Sequence, residues 1–380
     1  MRRATIPALA LLLLGCGGPA DRGPDDAARL CEPTLPDRRY RYSDSDVHLP
    51  PQFRRSPLGT VVFSDNTSPD NRITNTGATL GRVLFYDVRL SGDDRIACAS
   101  CHRQVFGFGD TVRFSRGHEG RPLARRTLAL ANARFNARGR FFWDERAASL
   151  EEQVLQPILD SAEMSLEPEA LERKLSATAF YPALFTAAFG SPEVTRERIA
   201  AALAQFVRSL VSAGSRLDAV YATGSAPDST ALTALEREGL RLFSATGCIN
   251  CHRTLAFFAD KASNNGLDSV ASDTGAGGAR FKPASLRNVA VRPPYMHDGR
   301  FTTLRQVVEF YDHGVQNSAA LDPRLRTAQG LPRRLNLSVP QVDALVAFMA
   351  ALTDSAFLRD ERLSDPFPCA SASRLSVGAP

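Results

Sequence analysis

Cys98-Ala99-Ser100-Cys101-His102 and Cys248-Ile249-Asn250-Cys251-His252 are the two stretches that decide how this chain is read. Each is C-x-x-C-H, the attachment sequence of c-type haem. Two thiols add across the two vinyl groups of one porphyrin, and the following His is delivered to one face of the ring as an axial iron ligand. The rival is a single zinc site built from all four cysteines. Zinc needs no His after both pairs, and the two halves of such sites usually lie closer together in sequence. The spacing therefore predicts two covalently attached haems c. Cys98, Cys101 and His102 would hold one; Cys248, Cys251 and His252 would hold the other.

The surroundings of the two motifs are alike. Gly81-Arg82-Val83-Leu84-Phe85 precedes the first, and Gly239-Leu240-Arg241-Leu242-Phe243 precedes the second. Both are G-x-x-L-F on an expected helix that leads into the haem loop, an internal repeat that predicts two related domains. Ser149 with Glu152, Thr303 with Gln306 and Ser338 with Gln341 have capping-box spacing at expected helix starts. Val342, Leu345, Val346, Met349 and Leu352 recur with the helical period. Glu193 to Val211 is another helical stretch, and alternating strand patterns are scarce. The expected fold is all-α: small helical domains that wrap a haem, with long loops between the helices. Met349 lies on an apolar stripe and reads as core. His48, in a Pro-rich stretch, reads as a surface residue.

The 380 residues are 43% hydrophobic and 23% charged. That mixture suits two or three globular domains and excludes collagen, coiled coil and wholesale disorder. The longest apolar run, Ile6 to Leu14, is too short to span a bilayer. The formal charge is +5, but Arg2 and Arg3 belong to a leader and lysine is confined to Lys174, Lys261 and Lys282. No nucleic-acid partner is expected. The basic start, the apolar run and then Gly15-Cys16 read as a secretory signal, and Leu13-Leu14-Gly15-Cys16 resembles a lipoprotein box. Residues 1–15 are expected to be removed as a signal peptide and Cys16 to be lipidated. Residues 16–45 would then form a tether on the periplasmic side of a bacterial envelope. In that oxidising compartment Cys31 and Cys369, which have no local partners, are expected to pair. The body divides into an N-terminal domain, 46–225, a C-terminal domain, 226–357, and a tail, 358–380.

Beyond the two haem motifs, the chain carries Phe142-Trp143-Asp144-Glu145-Arg146, Leu150-Glu151-Glu152-Gln153, Glu163-Met164 and Pro294-Tyr295-Met296-His297-Asp298-Gly299. As an ordered set they resemble the bacterial dihaem cytochrome c peroxidases and their relatives of the MauG type, from about Leu80 to Thr353. That family usually has Gly where Glu145 stands. The resemblance implies two class I cytochrome c-like domains, with a peroxidatic N-terminal haem and a C-terminal haem that takes in electrons. His102 and His252 would be the proximal ligands, and Trp143, the only tryptophan, would relay electrons between the haems. Glu163 and Gln153 match the family's distal acid and amide. A carboxylate over the iron can shuttle the peroxide proton, an effect of about 10²–10⁴-fold, while the amide orients the peroxide. His118, between Gly117 and Gly120, matches a distal ligand that must swing away before peroxide binds. On the C-terminal haem the resemblance points to Tyr311 as second ligand, as in the MauG type, with His313 and Met296 as rivals. The family's calcium ion is put in doubt. Its Asn position falls on Arg126 and one of its carbonyls on Arg292, although the Pro294 carbonyl remains.

These features favour reduction of hydrogen peroxide with electrons from a small cytochrome c or cupredoxin. The alternatives are a MauG-like oxidase that modifies a partner protein, to which Tyr311 points, and a dihaem electron carrier. A carrier would have no use for a proton shuttle such as Glu163 with Gln153.

Overall fold

The computed structural model describes residues 31–56, 60–222, 227–259 and 261–368. The expected signal peptide, the expected lipidation site Cys16, most of the expected tether and Cys369 lie outside the described residues. Cys31 is disulfide-bonded. The stretch after it is fastened to the far end of the chain, where the Thr34 N–H donates to the Pro366 carbonyl over 2.7 Å.

The main helices are α1 (Asn75–Tyr86), α2 (Leu150–Leu159), α3 (Pro168–Ser176), α4 (Tyr181–Phe189), α5 (Arg196–Ser209), α6 (Ala234–Ala245), α7 (Leu304–Glu309) and α8 (Val339–Ala350). Outside them, backbone pairing among the described residues is limited to isolated bridges. The molecule is thus helix-rich, and no described helix is long and apolar enough to cross a membrane. The helix starts follow side-chain capping. Ser149 Oγ accepts the Glu152 N–H at 3.0 Å, but Glu152 turns back to the Ala148 N–H instead of Ser149. Thr303 and Gln306 form the full reciprocal box, at 3.2 and 3.1 Å. The expected helix over 193–211 is shorter at both ends, because Thr195 caps it by accepting the Arg198 N–H.

The repeat in the sequence is a repeat of packing. α1 crosses α5 at Gly81, and α6 crosses α8 at Gly239. A Cβ on Gly81 would lie 2.8 Å from the Phe206 Cβ and closer still to the Ala202 carbonyl. One on Gly239 would lie 2.7 Å from the Phe348 Cβ and closer still to the Ala344 carbonyl. Only glycine admits these backbone approaches. Beside each crossing the aromatic rings repeat. Phe85 packs on Phe206 and Phe108 at 5.3 and 5.8 Å, and Phe243 packs on Phe348 and Phe257 at 5.2 and 5.9 Å.

Each half has its own apolar core, but the chain ends are exchanged between them. Phe53 and Val61, with Leu217, Val220 and Tyr221, join the second core. Phe357, Leu358, Leu363 and Phe367 join the first. Packing thus crosses the expected divisions at 225/226 and 357/358, with Leu217, Val220 and Tyr221 in the second core and Leu358, Leu363 and Phe367 in the first. Hydropathy marks those residues as buried without saying which core receives them. Met349 is buried in the second core, as expected, and His48 is exposed.

Candidate active site and its two cavities

The two cysteine pairs line two cavities, one in each half. The first, of about 880 Å³, is lined by Cys98, Cys101 and His102 together with Trp143, Gln153 and Glu163. The second, of about 210 Å³, is lined by Cys248, Cys251 and His252 together with Met296, His297 and Tyr311. Trp143, Arg126 and Lys282 line both. The two cysteine pairs therefore face separate spaces. Among the described residues no three His, Cys, Asp or Glu side chains converge as a metal site, so the single four-cysteine zinc site does not form.

Within each cavity the imidazole is oriented by the loop that follows it. His102 Nδ1 lies 3.0 Å from the Phe108 carbonyl, and His252 Nδ1 lies 3.4 Å from the Phe257 carbonyl. Phe108 and Phe257 both have positive φ, 58° and 57°, which turns those carbonyls back toward the rings. With Nδ1 turned to a carbonyl, Nε2 is the ring atom that would ligate a metal. Burial holds both imidazoles neutral: it lowers the His102 pKa and takes that of His252 down to about 4. It also pushes the Cys98 and Cys101 thiols up to about 12 and about 11.

α2 ends near Pro157, and the chain turns sharply on Asp160. The Asp160 carbonyl collects the N–H groups of Glu163, Met164 and Ser165 at 3.0, 3.1 and 2.9 Å. That turn brings Glu163 to the cavity, while Gln153 reaches it from α2. Burial, reinforced by Asp160 and opposed by Arg146, pushes the Glu163 carboxyl up to about 7. A carboxyl at that value can both accept and donate a proton near neutral pH.

His118 is not among the residues that line the first cavity. Its N–H donates to the Glu163 carbonyl over 2.7 Å, and its Nδ1 lies 3.5 Å from Asp93 Oδ2. The two flanking glycines have different reasons. Gly120 has φ +72 with open space around it, whereas Gly117 lets the loop pass against Ala162 and Glu163, whose Cα a Cβ would meet at 2.8 Å.

In the second cavity Tyr311 lies in a π-helical turn, Phe310–Gly314, of the kind that often marks functional positions. It is half-buried, and desolvation pushes its phenol up to about 12. Asn265, which sequence reasoning missed, donates to the Tyr311 hydroxyl at 3.2 Å and lies 3.7 Å from Met296 Sδ. It thereby gathers two of the rival ligands. Met296 holds φ +73. The other rival, His313, has 70% of its side chain exposed and lies beside Asp312, away from the cavity lining.

The halves meet at matching hairpins, in which Phe141 bridges Ala147 and Tyr295 bridges Phe301. Trp143 and His297 hold the same place in the two hairpins, and their rings lie edge to face at 6.4 Å. His297 also stacks on Phe281 at 3.7 Å. Glu145 and Gly299 correspond, with φ 55° and 65°, which explains why glycine would suit position 145. Trp143 Nε1 donates to the Arg126 carbonyl over 2.6 Å. The Arg126 N–H donates to the His297 carbonyl and the Lys282 N–H to the Trp143 carbonyl, both over 2.8 Å. Lys282 was the other omission. Its signal was the rarity of lysine in the chain.

Residues 75–226 match the family model for di-haem cytochrome c peroxidase. The methylamine utilization protein MauG of Methylorubrum extorquens is 34% identical over 295 residues, covering 74% of this chain and 82% of that protein. The chain belongs to the di-haem cytochrome c peroxidase family. The cytochrome c551 peroxidase of Nitrosomonas europaea is 36% identical over 266 residues, covering 66% of this chain and 78% of that one. A solved MauG-like protein associated with microbial copper homeostasis superposes with a TM-score of 0.71 at 28% identity, covering 80% of this chain and 96% of that one. The protein is therefore an oxidoreductase of the peroxidase type, and its family implies two haem cofactors. The residues fit such groups. Each cavity offers two half-buried cysteines and a neutral His whose Nδ1 is held by a loop carbonyl. The walls also carry buried Arg126 and Arg292, whose Nε atoms lack a partner among the described residues and suit the carboxylates of a porphyrin.

Proposed function

We propose that this protein reduces hydrogen peroxide to water in the first cavity, with electrons that enter through the second. The balance is one peroxide, two electrons and two protons giving two waters. A covalently attached haem c in each of two class I cytochrome c-like domains, on Cys98 with Cys101 and on Cys248 with Cys251, would supply the one-electron chemistry and the iron that binds peroxide. His102 and His252 would be the proximal ligands. The chain's own groups do the rest. Gln153 orients the peroxide through its amide. Glu163 takes the proton from the oxygen nearer the cavity centre and returns it to the departing one, which leaves as water. Trp143, the indole that borders both cavities, connects the two halves. The observation that carries this reading is that Glu163, with a carboxyl near neutrality, lines the cavity of Cys98, Cys101 and His102.

The donor would be a small cytochrome c or cupredoxin. The leader ending at Cys16 supports a periplasmic, lipid-anchored enzyme. His118, seated beside Asp93 rather than in the cavity, suits the open arrangement of a gate that would close on the iron in the resting enzyme. A second reading, oxidation of a partner protein as in the MauG type, is favoured by Tyr311 in the second cavity beside Asn265.

The test is Glu163→Gln. With both haems attached, peroxide turnover should fall by at least about 10², as for loss of a positioned acid–base group. Wild-type turnover at normal haem content would remove Glu163 from the mechanism.

A further inference from the structure

Arg126 and Lys282 hold matching places in the two halves, yet their side chains do different work. Lys282 Nζ donates to the Arg140 carbonyl over 3.1 Å. The Arg126 guanidinium instead gathers three carbonyls. Nη2 donates to those of Asp110 and Arg292 at 2.6 Å each, and Nη1 to that of Thr127 at 3.2 Å. Asp110 and Thr127 belong to the first half and Arg292 to the second. Arg126 is 3% exposed and makes no ion pair among the described residues.

Main-chain carbonyls converging on one buried positive centre are the donors a calcium ion would take. This is the place where the family resemblance puts calcium, and the residues do not fit it. Two of the carbonyls are already engaged by Arg126 Nη2. A divalent ion drawn to them would meet a fixed like charge at contact distance in a poorly solvated seam. Asp110 is the carboxylate whose charge acts on Arg126; it is already taken by the Ser115 hydroxyl, and no group of three possible metal ligands forms among the described residues.

We propose that the Arg126 guanidinium is the resident cation of this seam, replacing calcium, and that it sets both the register of the two halves and the potentials of the redox groups on either side. The register follows because Arg126 also accepts from the Trp143 indole and donates to the His297 carbonyl. The potentials follow because Arg126 borders both cavities. A nearby positive charge stabilises the reduced, less positive form of a redox centre, and in a poorly solvated site it is weakly screened. Arg126 is thus a positioning residue. The inference rests on the proposed function only for the presence of a redox group in each cavity, and its calcium arm does not depend on that.

The experiment uses the purified holoprotein, with Arg126→Gln and Arg126→Lys. Calcium content is measured by elemental analysis, melting is followed in excess EGTA and in millimolar CaCl2, and both haem potentials are measured by spectroelectrochemistry. The wild type should hold substoichiometric calcium and melt identically in both media. Arg126→Gln should lower both potentials together at normal haem content, and Arg126→Lys should restore most of that loss. Stoichiometric calcium in the wild type, or chelator-induced melting, would overturn the replacement. Unchanged potentials in a correctly loaded Arg126→Gln protein would overturn the electrostatic role. Should that variant not fold, the Arg126→Lys potentials and the wild-type calcium content still decide. Absence of peroxide turnover in the loaded wild type, with the expected calcium behaviour and potentials, would count against the catalytic reading alone.

Discussion

Gly239→Ala places a methyl group where α6 and α8 touch. The new Cβ would lie 2.7 Å from both the Ala344 carbonyl carbon and the Phe348 Cβ. Reaching an ordinary contact of 3.4 Å requires α8 to retreat by at least roughly 0.7 Å, and by more at the carbonyl oxygen. Overpacking against a backbone that cannot rotate away falls at the costly end of its usual range, about 3 kcal/mol. Alanine's better helix propensity offsets about 1 kcal/mol. The net loss of about 2 kcal/mol should lower the melting temperature by roughly 4 °C. The displacement also has an address. Phe348 packs on Phe243, Phe243 on Phe257, and the Phe257 carbonyl meets His252 Nδ1. Differential scanning calorimetry with low-temperature absorption should show destabilisation and a perturbed second haem with the first unchanged. Gly81→Ala should perturb the first and spare the second. An unchanged melting temperature and spectrum in both variants would refute the crossing as the element that places each haem.

Three further outcomes follow from named contacts. With Glu163 near 7, its ionised fraction rises from roughly a tenth at pH 6 to roughly nine-tenths at pH 8. The wild-type kcat/KM for peroxide should therefore rise with pH across that window, while Glu163→Gln should be flat. Tyr311→Met should raise the potential of one haem without moving the other, since a phenolate stabilises ferric iron; redox titration reads this. Asp218→Asn should cost about 3–5 kcal/mol by chemical denaturation, because it strands the buried guanidinium of Arg287, whose side chain is 0% exposed.

The two haems that the family implies were legible because C-x-x-C-H is local: five consecutive residues bring two thiols and a His together. The two G-x-x-L-F segments were legible for the same reason, and the structure gives their glycines a common cause in the helix crossings. What sequence could not supply was the meeting of distant loops. Asn265 comes from an irregular stretch and matters only because Tyr311 and Met296 reach it. Lys282 and Arg126 acquire their meaning from the seam, where each answers the other half's hairpin. The exchange of chain ends between the cores escaped for a related reason. Hydropathy marks Phe53 and Phe367 as buried, but not in which core. Beside His118, Gly117 reads in the sequence as a source of loop freedom. Its backbone instead serves a tight pass against Glu163, a steric demand that appears only in three dimensions.

The proposed activity couples a two-electron reduction of peroxide to a one-electron donor. The most direct test is the stoichiometry of the holoprotein supplied with a reduced small cytochrome c and limiting hydrogen peroxide. The account predicts two cytochromes oxidised per peroxide consumed, with no oxygen released and no covalent change in the cytochrome. Peroxide consumption without cytochrome oxidation, or with oxidative modification of the partner in its place, would contradict it.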